Sequence, residues 1–449
     1  MTVNFLLVGN GAREHAIAKS LCKSPDVRLF ACMSAKNPGI ANLCQTSKGE
    51  FKIGNIENGR EIAKWAKDKK IALAFPSPDA VLAAGVADEL KKARIRICAP
   101  LKAAARVEWD KNFLRHLMVK YKIEGCPKYK HFTDEKGIDE FIDQLKEVAV
   151  KPVGLTGGKG VSVSGFQLKN SQEAKAYAKE LLAKKTGGSG GVVIEEKLLG
   201  EEFTLMAFCD GKTMSGMRTV QDHKRAFEDD LGPNTGGMGA YCDNNHILPF
   251  LKQEDYDKSF DIMHRIMEAL ERESGEKYVG VMYGQFMATH GGVSVIEINA
   301  RFGDPEAMNA LAVLKTPLLD IFNAMADGTL ADVKMEREAA TTVVKYVVPE
   351  GYPNKAVEPF PIGIDYACLK KSGAEIFFAS VDERDGQIFS GMSRAIAVLG
   401  KGASIAQAQV VAEEGCGCIF GRLWHRRDIG TPNLVQKRIE HMQKIRREH

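Results

Sequence analysis

Residues 293–306 read Val293-Ser-Val-Ile-Glu297-Ile-Asn299-Ala-Arg301-Phe-Gly303-Asp304-Pro305-Glu306. The stretch opens as a strand, because valine and isoleucine dominate its start and the turn pair Gly291-Gly292 precedes it. Side chains alternate along a strand, so Glu297, Asn299 and Arg301 leave the same face. Unpaired charges are costly in a core, whereas carboxylate and amide oxygens suit Mg²⁺ and arginine suits phosphate. The stretch predicts a metal and phosphate site; the alternative is an edge hairpin whose polar face meets water.

The preceding segment strengthens the first interpretation. Residues 279–288 read as a strand, and His290-Gly291-Gly292 suits a three-residue hairpin loop. With that loop, Gln285 lies opposite Glu297 on the same face. We therefore expect Gln285 to be a third oxygen ligand.

Composition sets the broad class. The length of 449 residues suggests about three domains, and 44% hydrophobic with 27% charged residues is ordinary for a globular chain. A net charge of +4 is too mild to predict a nucleic-acid partner. We expect no membrane span and no signal peptide, a cytoplasmic location, and reduced cysteines. Cys416 and Cys418 with His425 offer too few ligands for a zinc site.

The first hundred residues alternate between strands and helices, which predicts a parallel sheet covered by helices. The turn at residues 9–15 lacks the third glycine of a dinucleotide fingerprint, since Glu14 stands there. Asn10, Gly11 and Arg13 are instead expected to bind a small phosphate at a helix N-terminus; the alternative is a tight turn only. Asp79 either accepts ribose hydroxyls or caps the next helix.

The middle of the chain carries a second glycine-rich segment. A strand ends at Lys151, the loop 154–160 contains four glycines and Lys159, and another strand follows. This is not a Walker loop, because no helix follows the lysine. It predicts a flap that closes over a triphosphate, or otherwise a plain hairpin tip. Residues 192–198 then form a strand that can contact a purine, with an acid beyond it for the ribose.

Residues 221–225 are five consecutive polar residues, and residues 232–239 form a loop rich in backbone donors. From about residue 336 the pattern changes to short strands and two helices, which predicts a small third unit without a catalytic cluster.

Several motifs together resemble the phosphoribosylamine–glycine ligase family of the ATP-grasp superfamily, and the resemblance covers nearly the whole chain. They are Gly9 to His15, Lys151, Gly158-Lys159-Gly160, Glu195-Glu196, Gln221 to Lys224, Gly232 to Gly239, Glu297 to Glu306 and Arg427 to Gly430.

The resemblance implies an α/β chain of three parts: an N-terminal parallel α/β sheet domain (1–104), a central ATP-grasp fold (105–335) and a small C-terminal α+β domain (336–449). It implies ATP-dependent joining of glycine to 5-phosphoribosylamine by the route common to the superfamily, in which a carboxylate is activated as an acyl phosphate and an amine then attacks it. A monomer acting on small molecules is expected.

The resemblance also implies roles for individual residues. Catalysis is assigned to Lys159, Asp222 and Arg301. The nucleotide is assigned to Lys151, Gly158, Lys159, Gly160, Glu195, Glu196, Lys197, Leu198 and Glu202. The two substrates are assigned to Asn10, Gly11, Arg13, Asp79, Asp222, Lys224, Thr235, Gly236, Gly237, Met238, Gly239, Arg301 and Asp304. Mg²⁺ is assigned to Gln285, Glu297 and Asn299, with Mn²⁺ as the alternative because Gln285 is neutral.

Two other functions stay open at this stage. A sibling ATP-grasp ligase would share the ATP and metal residues, although the loop 232–239 argues against it. A dehydrogenase would use the N-terminal glycine turn, although Glu14 argues against it. A binding protein without activity fits least, since the metal and phosphate groups are all present.

Overall fold

The computed structural model describes residues 2–154, 160–188 and 190–447. The predicted fold class is confirmed: a parallel α/β sheet opens the chain, and two mainly antiparallel layers and a further sheet follow.

The N-terminal sheet is parallel and has the strand order β3-β2-β1-β4-β5. Two helices occupy residues 79–92, and Gly85, with a φ of +81°, separates them. Its elements are β1 (Val3–Val8), α1 (Ala12–Leu21), β2 (Val27–Met33), α2 (Pro38–Thr46), β3 (Glu50–Ile53), α3 (Gly59–Asp68), β4 (Leu73–Pro76), α4 (Asp79–Ala83), α5 (Val86–Lys92) and β5 (Arg96–Ile97).

The central part contains two four-stranded sheets, ordered β6-β9-β7-β8 and β11-β10-β16-β17. Its first elements are α6 (Lys102–Trp109), α7 (Lys111–Lys120), β6 (Tyr129–Phe132), α8 (Ile138–Leu145), β7 (Val148–Pro152), β8 (Ser162–Val163), α9 (Ser171–Ala183), β9 (Val192–Glu196), β10 (Glu201–Asp210) and β11 (Met214–Gly216). They continue with β12 (Gln221–Asp222), β13 (Arg225–Phe227), β14 (Leu231–Asn234), β15 (Gly239–Cys242), α10 (Gln253–Ser274), β16 (Val279–Thr289), β17 (Gly292–Asn299), α11 (Glu306–Ala312) and α12 (Leu318–Asp327).

The last part is built on a sheet ordered β12-β15-β18-β23-β20, so two strands from the middle of the chain extend it. Asp222 therefore lies in a strand at the edge of this sheet. The elements are β18 (Thr341–Pro349), β19 (Gly363–Ile364), α13 (Tyr366–Ser372), β20 (Glu375–Phe378), β21 (Val381–Arg384), β22 (Gln387–Ser390), β23 (Ile396–Gly402), α14 (Ile405–Cys416), β24 (Ile419–Phe420), β25 (Leu423–Trp424) and α15 (Pro432–Arg447).

Stacked aromatic rings join the N-terminal sheet to helix α12 of the central part. The rings of Phe75 and Phe322 are stacked 4.9 Å apart, and Phe5 stacks on Phe322 at 5.8 Å. These residues belong to one continuous hydrophobic core, which fixes the carboxyl edge of the parallel sheet against the central layers.

One expectation about cysteine is wrong. The sequence predicts reduced cysteines, but Cys368 and Cys418 form a disulfide with a Cα–Cα distance of 5.6 Å, and eight cysteines are free. The pairing of β19 with β24, and the Asp365 N–H donating to the Cys418 carbonyl at 2.9 Å, bring the two residues together.

Within the described residues, no helix is both long and apolar enough to cross a membrane.

Candidate active site

The β16–β17 hairpin presents the residues predicted to bind metal. Gln285 is paired with Glu297, and Tyr283 with Asn299. Phe286 is paired with Val295, so Ile296 bulges out of the ladder. The freed carbonyl of Ile296 accepts from Arg115 Nη2 at 2.8 Å and lies 3.4 Å from Lys151 Nζ.

The predicted pairing is present although the predicted loop is not. Thr289 pairs with Gly292, which leaves a two-residue loop instead of three residues. The shorter loop shifts the register by one residue, and the bulge at Ile296 shifts it back. Without that bulge, Glu297 would leave the other face of the sheet.

These oxygens fit a hard cation. Gln285 Oε1 is buried and has no hydrogen-bond partner, while its Nε2 donates to Glu202 Oε2 at 2.6 Å. Asn299 Nδ2 donates to Glu297 Oε1 at 3.2 Å, so the three side chains lie side by side. Among the described residues no group of three or more His, Cys, Asp or Glu forms a metal-binding cluster. One carboxylate with amide oxygens matches a cation that takes its other ligands from phosphate and water.

Glu297 stays ionised in this setting. Burial alone would raise its pKa, but the positive charges of Lys224 and Lys111 outweigh burial and hold the pKa below its usual value. The carboxylate is therefore available to a cation at neutral pH.

Lys151 lies in a buried charge network. Its Nζ is 2.7 Å from Glu195 Oε2, and Arg115 forms a bidentate pair with the same carboxylate at 2.7 and 3.0 Å. Burial opposes ionisation of Glu195, yet the two cations lower its pKa to about 2. The side chain of Glu195, which the sequence assigns to the nucleotide, thus holds Lys151 in place.

The segment after β9 connects the small sheet to β10. The Lys128 N–H donates to Glu196 Oε1 at 2.8 Å, and Lys197 Nζ lies 2.9 Å from Glu147 Oε1. These side chains are tied to neighbouring residues, and the N–H groups of Glu196 and Lys197 also donate, to the Lys128 carbonyl at 2.9 Å and the Glu147 carbonyl at 3.1 Å. The Gly160 carbonyl accepts from Tyr177 OH at 3.0 Å, whereas Gly158 and Lys159 lie outside the described residues.

Glu202 and Lys224 link this region to the residues predicted to bind metal. Lys224 Nζ lies 3.3 Å from Glu202 Oε2. Burial would lower the pKa of Lys224, but Glu202, Glu297 and Asp222 together raise it. Lys224 therefore supplies a permanent positive charge beside Glu297.

Arg301 lies beyond Asn299 and is held by an acid. Its Nη2 is 3.0 Å from Glu108 Oε1, and its guanidinium lies 5.8 Å from the centre of the Tyr283 ring. Its Nε is buried and has no hydrogen-bond partner. Asp79 is close enough to raise the pKa of Arg301, together with Glu108, against the effect of burial. Asp79 is the first residue of α4, and no side chain caps that helix.

Asp222 faces the glycine-rich loop. Its Oδ1 is buried without a hydrogen-bond partner. Burial and the neighbouring Glu306 raise its pKa well above the usual aspartate range, more than Lys224 and Arg394 lower it. Gly237 has a φ of +106°, and a Cβ there would lie 2.6 Å from Asp222 Oδ1, so only glycine fits.

Hydrogen bonds hold the rest of this loop in place. Thr235 N–H and Oγ1 donate to the Lys224 carbonyl at 2.7 and 2.9 Å, and Met238 N–H donates to the His223 carbonyl at 2.8 Å. Gly236 N–H lies 3.4 Å from Tyr352 OH. Gly239 starts β15, and a Cβ there would lie 2.2 Å from the Val344 carbonyl.

The N-terminal turn is satisfied internally. The Gly11 N–H, which the sequence expects to face an anion, donates to Glu14 Oε2 at 2.7 Å. Arg13 Nε donates to Glu14 Oε1 at 2.6 Å, and Arg13 Nη1 donates to the Phe302 carbonyl at 3.2 Å. Asn10 Oδ1 accepts from Ser34 N–H at 3.1 Å. Arg13 thus reaches the backbone next to Arg301, so the turn and the central motif lie together.

Comparison with known proteins decides the family. The phosphoribosylglycinamide synthetase models match in three parts: the N domain at residues 3–108, the ATP-grasp (A) domain at 109–307 and the C domain at 342–432. A phosphoribosylamine–glycine ligase of Methanosarcina barkeri is 47% identical over 445 residues, covering 99% of this chain and 100% of the relative.

This chain belongs to the phosphoribosylglycinamide synthetase family.

Solved structures agree with the fold of this synthetase family. A phosphoribosylamine–glycine ligase from Thermotoga maritima has a TM-score of 0.77 at 24% identity, covering 95% of this chain and 100% of that one. A biotin carboxylase domain from Hydrogenobacter thermophilus, in complex with MgADP, ADP and bicarbonate, has a TM-score of 0.69 at 12% identity, covering 99% and 94%. At these identities the likeness concerns the fold alone.

Family membership favours the ligase over the two open alternatives. The chain is an ATP-grasp ligase, so the dehydrogenase interpretation of the glycine turn is wrong. The relatives support phosphoribosylamine–glycine ligase and not a sibling enzyme with another amine.

Three residues of this synthetase site escape the sequence argument. Lys111 is half-buried near Glu297 and Lys151, and its Nζ lies 3.4 Å from the Gly154 carbonyl. Glu306 accepts from Tyr283 OH at 2.9 Å and faces Asp222. Arg394 comes from the part predicted to lack catalytic groups. Glu306 stands inside the 293–306 stretch and could have been found there, but no local pattern marks Lys111 or Arg394.

Proposed function

We propose that this protein joins glycine to 5-phosphoribosylamine at the expense of ATP, giving glycinamide ribonucleotide, ADP and phosphate in de novo purine biosynthesis. One observation carries the assignment of the chemistry to this cleft. Glu297 lies opposite Gln285 and within electrostatic reach of Lys224 and Lys151, and Lys224 in turn lies within reach of Asp222. Family membership supports the identity of the substrates.

ATP is bound between the two central sheets in this proposal. Lys151, with Lys159 and the backbone of Gly158 and Gly160, holds phosphate oxygens. The backbone from Glu195 to Leu198 contacts the adenine, and Glu202 accepts the ribose hydroxyls. The buried pair of Lys151 with Glu195 supports this, because it fixes the ammonium before the nucleotide arrives.

Mg²⁺ or Mn²⁺ would be held by Gln285, Glu297 and Asn299. When bound, the cation neutralises phosphate charge and aligns the transferring phosphoryl group. The unpartnered Gln285 Oε1 supports this assignment, since a buried amide oxygen needs a partner.

The first step forms glycyl phosphate. A carboxylate oxygen of glycine attacks the γ-phosphorus of ATP, the bond to the bridging oxygen breaks, and ADP leaves. Arg301 lies on the far side of Asn299 and presents its unpartnered Nε, which suits the charge on the transferring group.

The second step forms the amide. The amino nitrogen of phosphoribosylamine attacks the acyl carbon, phosphate leaves, and the nitrogen loses a proton. Asp222 is placed to accept that proton, because its raised pKa makes it a stronger base than an exposed aspartate. Lys224, Thr235, Gly236, Gly237, Met238, Gly239 and Asp304 surround it and are proposed to hold the two substrates.

The sugar phosphate is assigned to the N-terminal turn, with Asn10, Gly11, Arg13 and Asp79. Binding at the Gly11 N–H requires Glu14 to release it, since the two are hydrogen-bonded. The proximity of Arg13 to Phe302 supports a substrate that spans the turn and Arg301.

We also propose that the protein is a cytoplasmic monomer. Its three domains would meet at residues 104 and 335.

The experiment is an assay of ADP release by the purified protein with Mg·ATP. We expect release only when glycine and 5-phosphoribosylamine are both present, with one glycinamide ribonucleotide formed for each ADP. Release that is independent of either substrate, or that needs a different amine, would contradict the proposal.

A further inference from the structure

Arg394 lies in the C-terminal part of the chain, and its side chain reaches the glycine-rich loop at residues 232–239. Its side chain is 15% exposed and lies just before β23. The Nη1 donates to the carbonyls of Gly236, at 2.6 Å, and Gly237, at 3.0 Å. One guanidinium nitrogen thus holds two consecutive residues of a loop that has few side chains of its own.

The same guanidinium also holds the end of the 293–306 stretch. Arg394 Nη1 lies 3.2 Å from the Asp304 carbonyl and 3.3 Å from Asp304 Oδ1. Tyr346 OH donates to Asp304 Oδ1, and the Tyr346 ring lies 4.3 Å below the guanidinium. Tyr346 therefore supports both partners of this ion pair.

The two segments that Arg394 holds meet at Asp222. A Cβ on Gly237 would lie 2.6 Å from Asp222 Oδ1 and 2.8 Å from Pro305 Cδ. The Gly237 backbone is thus wedged between Asp222 and Asp304-Pro305, and a shift of either segment changes the space around Asp222.

We propose that Arg394 is a positioning residue of the ligase site. It holds Gly236, Gly237 and Asp304 at the distances from Asp222 that the amide-forming step requires. The inference rests on the proposed function. Arg394 acts through these groups, and the C-terminal part of the chain thereby completes the active site.

Arginine suits this position better than lysine. Its planar guanidinium stacks on the Tyr346 ring and thereby directs Nη1 at the acceptors, whereas an ammonium is a flexible point charge. Arg394→Lys should therefore restore part, and not all, of what Arg394→Met loses.

The test compares Arg394→Met, Arg394→Lys and Tyr346→Phe with the control Arg384→Met. Arg384 lies on the same domain, but its side chain is 59% exposed and pairs with Asp382. Misplacement of about 1 Å costs about 100-fold in rate. We expect Arg394→Met to lower kcat/KM for glycine and phosphoribosylamine by about that factor while the KM for ATP changes less than about twofold, and Arg384→Met to match wild type.

Tyr346→Phe keeps the ring and removes only the hydrogen bond to Asp304, so a smaller loss in the same direction is expected. This variant and Arg394→Lys keep the test decisive if Arg394→Met does not fold. Wild-type kinetics in all three variants, or an equal loss of ATP affinity, would overturn the positioning role.

Hydrogen exchange separates this inference from the proposed reaction. Peptides covering residues 232–239 should exchange faster in Arg394→Met than in Arg384→Met, while β1 and β16 stay protected. If the wild-type protein lacks ligase activity but this difference in exchange is present, the proposed reaction is wrong and the positioning role of Arg394 is retained. If exchange is unchanged, the positioning role is wrong whatever the activity.

Discussion

Gln285 and Glu297 lie directly opposite each other on one face of the β16–β17 hairpin. The bulge at Ile296 produces this pairing. The Ile296 carbonyl, which is freed from the ladder, accepts a hydrogen bond from Arg115 and lies near Lys151 Nζ. The bulge that aligns the two proposed metal ligands thus also contacts Lys151, which we propose binds phosphate.

Glu297→Gln should nearly abolish ligation while the protein stays folded. The carboxylate is the main charge available to the metal, and a metal contributes several kcal/mol to phosphoryl transfer, so turnover should fall at least about 100-fold. The measurement is kcat at several Mg²⁺ concentrations, with circular dichroism for folding.

The control is Glu254→Gln, an exposed acid on α10, which should behave as wild type. Near-normal turnover of Glu297→Gln at ordinary Mg²⁺ would remove the metal assignment.

Asp222→Asn should lower kcat and abolish the acidic limb of the pH–rate profile. A base is active when deprotonated, so activity is lost as the pH falls through its pKa. Burial and Glu306 raise that pKa, so the wild-type limb should lie above the ordinary aspartate value of about 3.9. The measurement is kcat/KM against pH for both proteins.

ATP binding serves as the control for Asp222→Asn, and it should change little. A profile of Asp222→Asn that keeps the wild-type limb would show that another group titrates.

Arg115→Met should destabilise the fold strongly. Arg115 and Glu195 are both buried, and removal of one partner of a buried pair costs about 3–5 kcal/mol. The measurement is the free energy of unfolding in urea. Arg106→Met is the matched control, since Arg106 is exposed and its pair with Asp110, just beyond the end of α6, should contribute less than about 1 kcal/mol. Equal effects of the two substitutions would contradict the buried network.

His15→Gln should reduce the loss of stability in acid. Phe378 N–H donates to His15 Nδ1 at 3.0 Å, and burial, with Lys19, lowers the pKa of His15 to about 3. Above about pH 6.5 the group is neutral in both states. Between that pH and about 3, the unfolded chain binds a proton that the native state excludes, so stability falls by up to about 1.4 kcal/mol per pH unit.

The measurement for His15 is the free energy of unfolding in urea between pH values of about 7.5 and about 5, in the wild-type protein and in the variant. The difference between the two pH dependences should be on the order of 1 kcal/mol. Buried His223, whose pKa is also lowered to about 3, adds its own slope, which stays in the variant. A pH dependence identical to wild type would mean that His15 accepts the proton in the native state.

Local sequence patterns account for part of this site. The period of two placed Glu297, Asn299 and Arg301 together. The predicted partner Gln285 is correct although the predicted three-residue loop is not, because the bulge at Ile296 compensates for the shorter loop. The same reasoning did not find that the Gly11 N–H is occupied by Glu14, because a capping hydrogen bond competes with the anion. It did not find Arg394 either, whose partner Gly236 lies 158 residues away. Contacts at such a separation depend on how the sheets are joined. The pairing of β12 and β15 with the last sheet has no signature in the local sequence pattern.

The most direct measurement follows oxygen from glycine to phosphate. In glycyl phosphate the carboxylate oxygen that attacked the γ-phosphorus stays with phosphorus when the amine displaces it. With glycine labelled by ¹⁸O in both carboxylate oxygens, each phosphate released should carry one ¹⁸O atom, and the amide product should keep the other. Phosphate without label, alongside normal product formation, would contradict the acyl-phosphate route and with it the central claim.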